Sequence, residues 1–399
     1  MNGTRYMHVG EVCSSISDTY RERKNMVTLI NTSDVLEGRV LNHERVQNFN
    51  LKGQFKKTFQ QDDILYSEIR PQNRRFAYVD FSPIDYIAST KLMVIRAKAD
   101  VVFPKYLYYF LKNSSTVAEL QLLAETRSGT FPQITFSEVA NLIIPVPPLA
   151  VQKVIVQTIQ CLEDKITCNE QINDNLEWQL RTVFKAEFTD NPELENITQI
   201  PLSELCHVVT KGTTPTTLGK PFVETGINFI KAESILDDHS IDKSKFAFID
   251  EETNALLKRS IIHAGDVVFT IAGTLGRFAL IDENVLPANT NQAVAIIRAD
   301  VEKVLPEYIY TCFIGEWHTD YYAKRVQQAV QANLSLTTIK SLPIPLLDEA
   351  KMSEYLSLIL PLIKAIKTNE AQNEKLAALR DNLLPKLMSG EIDVSAVQL

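Results

Sequence analysis

The stretch GTTPTTLGKP (residues 212–221) holds the glycines, threonines and lysine from which phosphate-binding loops are made. Such a loop needs GxxxxGK[ST], so that backbone N–H groups and the lysine surround the phosphates while a hydroxyl meets the metal. Here the spacing from Gly212 to Gly219 is wrong, and Pro221 stands where Ser or Thr is required. Adenine methyl transfer calls for Asn/Asp-Pro-Pro-aromatic, and Val146-Pro147-Pro148-Leu149 supplies only the prolines. A metal-dependent nuclease calls for clustered carboxylates beside a lysine. Glu163-Asp164-Lys165 and Glu349-Ala350-Lys351 match in spelling only, since both fall on segments of helical periodicity where solvated charge is ordinary. Six histidines without HxxxH spacing and five scattered cysteines (Cys13, Cys161, Cys168, Cys206, Cys312) without a CxxC pair argue against a metal or redox centre.

What the chain does carry is Arg, Asn, Gln and Thr concentrated at turns. Arginine pairs with guanine edges, Asn and Gln with adenine, and Thr methyls with thymine. In the first half these types sit in IRPQNRR (69–75) and TRSGTFPQ (126–133), giving Arg70, Gln72, Arg74, Arg75, Arg127 and Gln133 as candidates, with Lys52, Lys56 and Lys57 for phosphate. In the second half they are Lys211, Thr213, Thr214 and Thr216, then Arg277, Asn291 and Gln292, then Gln328, Gln331 and Asn333. The bland readings are solvated turn charge, turn-forming Asn and Gln, and glycines (Gly273, Gly276) that simply make a hairpin.

The elements that position these groups occur twice. TFPQITFSEVANLIIPVPP (130–148) and QANLSLTTIKSLPIPLL (331–347) share a layout of β-element, short polar segment and Pro-bounded strand, offset by 200 residues. DDILYSEIRPQNRRFAYVD (62–80) parallels GDVVFTIAGTLGRFALID (265–282), each a strand, a turn containing Arg and a second strand. FPKYLYYFL (103–111) parallels LPEYIYTCF (305–313), with Pro at the first turn of a short helix. VGEVCSSIS (9–17) parallels LSELCHVVT (202–210). Each half thus opens with a mixed α/β domain, over 1–148 and 200–346.

Each half closes with a helix. From Leu149, apolar residues at Ile155, Ile159, Leu162, Ile166, Ile172, Leu176, Leu180 and Val183 follow three-and-four spacing, apart from the step of six to Ile172, through about residue 190. Over 347–390 the rhythm runs through Tyr355, Ile359, Leu362, Ile366, Asn369, Asn373, Leu376, Arg380, Leu383 and Leu387, a heptad seam. The helices match at Ile159/Ile359, Leu162/Leu362, Ile166/Ile366 and Leu176/Leu376, and also at their polar interruptions, Asn169/Asn369 and Asn173/Asn373. A buried Asn penalises every register that leaves it without a polar partner. The two helices are therefore expected to pair antiparallel with the Asn cluster at the crossing, and Pro361 to bend the second. The alternative is two amphipathic helices, each packed on its own domain. The fold class is α+β: two pseudo-repeated α/β domains joined by two long helices in an antiparallel coiled coil.

With 45% hydrophobic and 23% charged residues the chain is ordinary globular material. No apolar run reaches membrane-spanning length, and MNGTRYMHVGEVCSS lacks a signal-peptide core. Free thiols fit a reducing cytoplasm. The net charge of −8 excludes a polycationic nucleic-acid coat. Residues 1–150, with 18 basic against 15 acidic side chains, are the most basic segment, and residues 151–199, with 4 against 9, the most acidic.

The succession of α/β domain, long helix, α/β domain, long helix resembles the specificity (S) subunit of type I restriction-modification systems. The resemblance covers the whole chain and is carried by IIPVPPLAVQKVIVQTIQCLEDKI, IPIPLLDEAKMSEYLSLILPLIKAI and the closing LRDNLLPKLMSGEIDV. KGTTP (211–215), INFIKAESI, GDVVFTIAGTLGR (265–277) and NTNQAVAII (289–297) are similar to a target-recognition domain of that family; the first half has IRPQNRR where the family often has a Gly-rich turn. The resemblance implies a non-catalytic, cytoplasmic subunit whose two domains each read half of a bipartite double-stranded DNA sequence, with the helices setting the gap. It implies two methyltransferase (M) subunits that bring S-adenosylmethionine, and restriction (R) subunits that use ATP and Mg²⁺, with no cofactor on this chain. The competing readings are a coiled-coil scaffold without a DNA role, and a nuclease or methyltransferase of unrecognised motif.

Overall fold

The computed structural model describes residues 3–22, 24–49, 53–127, 129–191, 197–317, 319, 321 and 333–394. The chain forms two compact units, Met1–Lys165 with Lys375–Leu399, and Ile166–Glu374. Each is built on the same pair of four-stranded sheets.

In the first unit one sheet runs in the order Cys13–Ile16, Leu92–Ala97, Ile64–Ser67, Phe76–Tyr78, all antiparallel. The other runs Arg45–Gln47, Met26–Ile30, Tyr86–Ser89, Phe55–Lys57, with its central pair parallel. The second unit repeats this order as Cys206–Lys211, Val294–Ala299, Val267–Thr270, Phe278–Leu280, and as Ala247–Ile249, Ile227–Ile230, Ala288–Thr290, Ile261–Ile262, again with a parallel central pair. A two-stranded ribbon closes each unit: Arg5–His8 with Ile143–Val146, and Gln199–Pro201 with Pro343–Pro345.

The repeat extends to buried chemistry. Asp63 is fully buried and takes both arms of the Arg96 guanidinium at 2.7 Å; Asp266 does the same for Arg298 at 2.8 and 2.7 Å. Each carboxylate also accepts the N–H of the residue three before it, Gln60 or His263. A carboxylate out of water must be paired in this way or neutralise itself. The helices Pro104–Lys112 and Pro306–Ile314 lay equivalent tyrosines on the ribbons, Tyr106 donating to Pro145 O (2.8 Å) and Tyr308 to Pro345 O (2.6 Å).

Three local expectations change. The reading of Thr130–Gln133 as a β-element gives way to the loop that TRSGTFPQ also suggests, with an isolated bridge joining Gln133 to Ile69. The polar segment after it is a helix, Phe136–Asn141, because Thr135 and Glu138 form a capping box; Ser335 caps Leu336–Lys340 in the same place. The helix Ser114–Arg127 was not expected at all, since its apolar residues are spread around its circumference.

The two long helices are Leu149–Phe188 and Glu349–Ser389. Leu149–Phe188 starts on Pro148, whose carbonyl accepts the N–H groups of Val151 and Gln152. Glu349–Ser389 runs unbroken through Pro361, which is exposed. Their ends are domain core. Ile155, Val156 and Ile159, with Leu384, Leu387 and Met388, belong to the first unit's core; Leu180, Phe184 and Phe188, with Tyr355, Ile359, Ile363 and Ile366, belong to the second's. Both expectations for these helices therefore hold, each over a different stretch.

Between the ends the helices pair antiparallel. Asn169 donates to Asn373 Oδ1 and Asn369 to Asn173 Oδ1, both at 2.8 Å, so that each residue and its repeat partner play the same role. Asn169 is fully buried and donates also to Gln372 Oε1. Leu162, Ile166, Leu176, Leu362 and Leu376 are half-buried along the seam. Ile172 departs from it and is 42% exposed, while Ile363 takes the buried place beside Leu362. A straight helix of 3.6 residues per turn drifts from a strict heptad, so the buried stripe steps 355, 359, 363 where it meets the domain.

Candidate nucleic-acid interface

In the second unit the fold gathers most of the loops singled out by residue type. Gly212 lets the strand exit press on the loop after Ala288–Thr290, since a Cβ there would lie 2.0 Å from Thr290 O. Thr213 N–H donates to that carbonyl (3.2 Å), the Thr214 hydroxyl donates to Gln292 Oε1, and Arg259 donates to the Thr213 hydroxyl (3.2 Å). Ile271 N–H bonds Ala293 O (2.8 Å) and Leu334 N–H bonds Ile271 O (2.9 Å), which ties in the hairpin at Gly273 and Gly276 and the approach to Asn333. Lys211, Thr213, Thr214, Asn291, Gln292 and Asn333 thus share one loop cluster. Thr216 is exposed on the turn Pro215–Leu218 beside it. Asn291 turns its Oδ1 onto Ala293 N–H (3.0 Å), the turn-forming role. Gln328 and Gln331 lie outside the described residues.

The first unit has the equivalent cluster. Ile69 bridges to Gln133, Arg70 N–H donates to Pro132 O (3.1 Å), Ile134 N–H to Glu68 O (2.9 Å) and Glu68 N–H to Lys91 O (3.0 Å). The turn Arg70–Arg74 carries two non-glycine residues in the left-handed region, Arg70 at φ 44° and Arg74 at φ 53°. Such conformations cost about 1–3 kcal/mol each and persist only where neighbours enforce them.

Several arginines chosen as base readers prove to hold the fold. Arg75 donates to Ser33 O (2.9 Å) and Val35 O (3.4 Å). Arg277, at the same point of the repeat, donates to Ile235 O (3.2 Å) and grips Asp237 with two bonds of 2.6 Å. The matched pair pins the same turn in both units. Arg277 in turn holds the exposed Asp237 carboxyl below its usual range. Arg74 pairs with Glu37 (3.2 Å) and lies over the Phe76 ring. Arg127 donates to Glu138 Oε1 (2.6 Å). Burial of Glu138 opposes its ionisation, but the Thr135 hydroxyl and N–H and then Arg127 outweigh that and hold its pKa below the usual value. Gln133 accepts from Lys91 (3.5 Å).

Among the proposed phosphate contacts, Lys57 is redirected: its ammonium donates to Thr90 O (3.1 Å) and Leu92 O (2.7 Å), and burial lowers its pKa. Lys56 is exposed, and Lys52 lies outside the described residues. Among the described residues, Arg70, Lys56 and Lys211 keep cationic heads without a protein partner, and the exposed Gln72 and Asn333 side chains are likewise unbonded. No group of His, Cys, Asp and Glu among the described residues could hold a metal ion. None of the described helices is long and apolar enough to cross a membrane.

Two copies of one sheet scaffold, each ending in a cluster of polar loops and joined to one helix pair, coincide with a family model, the type I restriction modification DNA specificity domain, matched over residues 5–178 and 195–378. The chain belongs to this family of DNA specificity proteins. It is 29% identical, over 446 residues, to the type I restriction enzyme HindI specificity subunit of Haemophilus influenzae, covering 92% of this chain and 94% of that protein. It is 25% identical over 342 residues to the MjaIX specificity subunit of Methanocaldococcus jannaschii, covering 78% of this chain and 76% of that one. The solved S subunit from M. genitalium has the same fold, with a TM-score of 0.53 at 14% identity over 98% of this chain and 97% of that chain. Specificity proteins of this family are recognition components, and the loops described above carry side chains of the types that can pair with base edges.

Proposed function

We propose that the chain is the DNA-recognition subunit of a type I restriction-modification complex and reads a bipartite target, one half per unit. The observation that carries this reading is the duplicated loop cluster on a duplicated scaffold, with the Asn pairs between the long helices made by residues that correspond in the repeat. A protein that reads two half-sites needs the same reader twice, with different side chains at the tips. The loops meet that condition: IRPQNRR in one unit stands where IAGTLGR stands in the other.

The chemistry belongs to partners in this reading. Two M subunits methylate adenine with S-adenosylmethionine, R subunits cleave with ATP and Mg²⁺, and the complex works in the cytoplasm. The acidity of the chain fits, since partners lining the DNA supply the phosphate-neutralising charge that a lone binder would need. The test is a domain exchange. Residues 200–346 are replaced by the matching segment of another S subunit, and modified adenines are mapped in cells that carry the partner genes. One half of the methylated sequence should change, while the other half and the gap stay. Loss of neither half on exchange rejects the reading.

A further inference from the structure

The first unit's loop cluster contains a group that residue type alone did not single out. Phe131 is 63% exposed on a loop whose backbone is fastened up to the next residue: Pro132 is buried and takes the Arg70 N–H, and Ile134 is fully buried with its N–H on Glu68 O. The loop bonded to it presents Arg70, the one arginine of this cluster whose guanidinium has no partner among the described residues, from a left-handed backbone that the surrounding bonds enforce. Lys91, bonded to Glu68 and Gln133, adds positive charge at the base of both loops.

An exposed apolar ring and a guanidinium without a partner among the described residues, carried on two loops bonded to each other, match one DNA feature well. The major-groove edge of thymine offers a methyl group, and that of guanine offers the two acceptors that arginine takes. We propose that Phe131 is a specificity-determining residue of the first unit, packing on a thymine methyl beside a guanine read by Arg70. This rests on the DNA-reading function above. The adenine to be methylated in each half-site brings a thymine opposite it, so the methyl is available.

The experiment uses the full chain assembled with the methyltransferase subunits it is co-expressed with, and a duplex carrying its mapped target. In a second set of duplexes each thymine of the half-site assigned to residues 1–148 is replaced in turn by deoxyuridine, which removes only the methyl. Wild type should lose roughly 3- to 10-fold in affinity at one such position, the scale of one buried methyl against an apolar surface. Phe131→Ala should lose about as much on the unmodified target and be indifferent to the deoxyuridine at that position. Phe131→Leu should retain part of the methyl dependence. Because the ring is exposed, neither substitution disturbs the core.

Phe131→Ala with unchanged affinity and unchanged deoxyuridine sensitivity overturns the proposal. So does an equal loss on unrelated DNA, which would make Phe131 a general contact. A wild-type complex that binds its mapped target no better than unrelated duplex instead rejects DNA reading itself, and is distinguished from both by the wild-type arm alone.

Discussion

Glu163→Gln in the first long helix removes one charge from a contact that seats this helix on the first unit. Glu163 accepts from Tyr109 Oη (2.7 Å) and from the Lys112 ammonium, both on the helix Pro104–Lys112. The Lys112 and Glu163 side chains are only 12% and 25% exposed, and the ammonium lies over the Tyr109 ring at 4.6 Å. Glutamine keeps an acceptor for Tyr109 but leaves Lys112 as a buried cation without its counter-charge. Breaking such a pair costs roughly 3 kcal/mol. Converting both partners, as Glu163→Gln with Lys112→Met, should fall within about 1 kcal/mol of wild type, since the stranded charge is gone. Burial lowers the Lys112 pKa from the ordinary 10.5, and Glu163 offsets part of that drop. A base with a depressed pKa binds fewer protons folded than unfolded, so stability rises with pH from its folded value up to 10.5. Without Glu163 the depression deepens, so the variant should regain stability with rising pH over a wider range below 10.5 than wild type. Both tryptophans, Trp178 and Trp317, belong to the second unit, so fluorescence does not report this region. Hydrogen exchange of the peptides spanning 104–112, followed through a urea titration, does. Equal losses in the single and double variants, or a deficit flat with pH, would refute the reasoning.

Other consequences follow from single contacts. Asn173→Ala and Asn369→Ala share one 2.8 Å bond, so a double-mutant cycle in urea should show about 1 kcal/mol of coupling; additive losses would mean that the helices do not cross there. Arg75→Ala and Arg277→Ala should speed hydrogen exchange around 33–37 and 233–238 by equivalent amounts, because each removes the pin of the same turn. Arg70→Ala should leave exchange unchanged there and weaken target binding by about 5- to 150-fold, the range of one arginine–guanine pair; a loss spread over all sequences would make it a phosphate contact. Cys161 and Cys168 are exposed, whereas burial pushes Cys13 and Cys206 up to about 12 and Cys312 further. A thiol titration at neutral pH should therefore find two fast groups in the native chain and five after unfolding.

The architecture was legible in the sequence because its determinants are periodic and local. A half-length repeat needs only comparison of the chain with itself, and strand–turn–strand units and proline-started helices declare themselves within about twenty residues. The Asn matches at 169/369 and 173/373 told which helices pair and in which direction, since a buried amide accepts few registers. The capped helix at Phe136–Asn141 was also written there, in Thr135 and Glu138, but a Pro-bounded strand beside it dominated the reading.

Which arginine reads and which arginine holds was decided only by tertiary structure. Arg70, Arg74 and Arg75 are nearly adjacent in sequence and identical in chemistry, yet Arg74 is taken by Glu37 and the Lys112 carbonyl and Arg75 by the Ser33 and Val35 carbonyls, from segments roughly 40 residues away, while Arg70 has no such partner among the described residues. Arg277 is claimed by Ile235 and Asp237 across a comparable distance. Phe131 carries no polar signal, and its exposure beside the buried Pro132 and Ile134 is visible only in the fold. Ile172, six residues after Ile166 and one before Asn173, is apolar but off the heptad that Asn169 and Asn173 continue, and it is exposed. Residue type states what a side chain can bond; whether its bonds are already taken depends on neighbours that the chain brings from elsewhere.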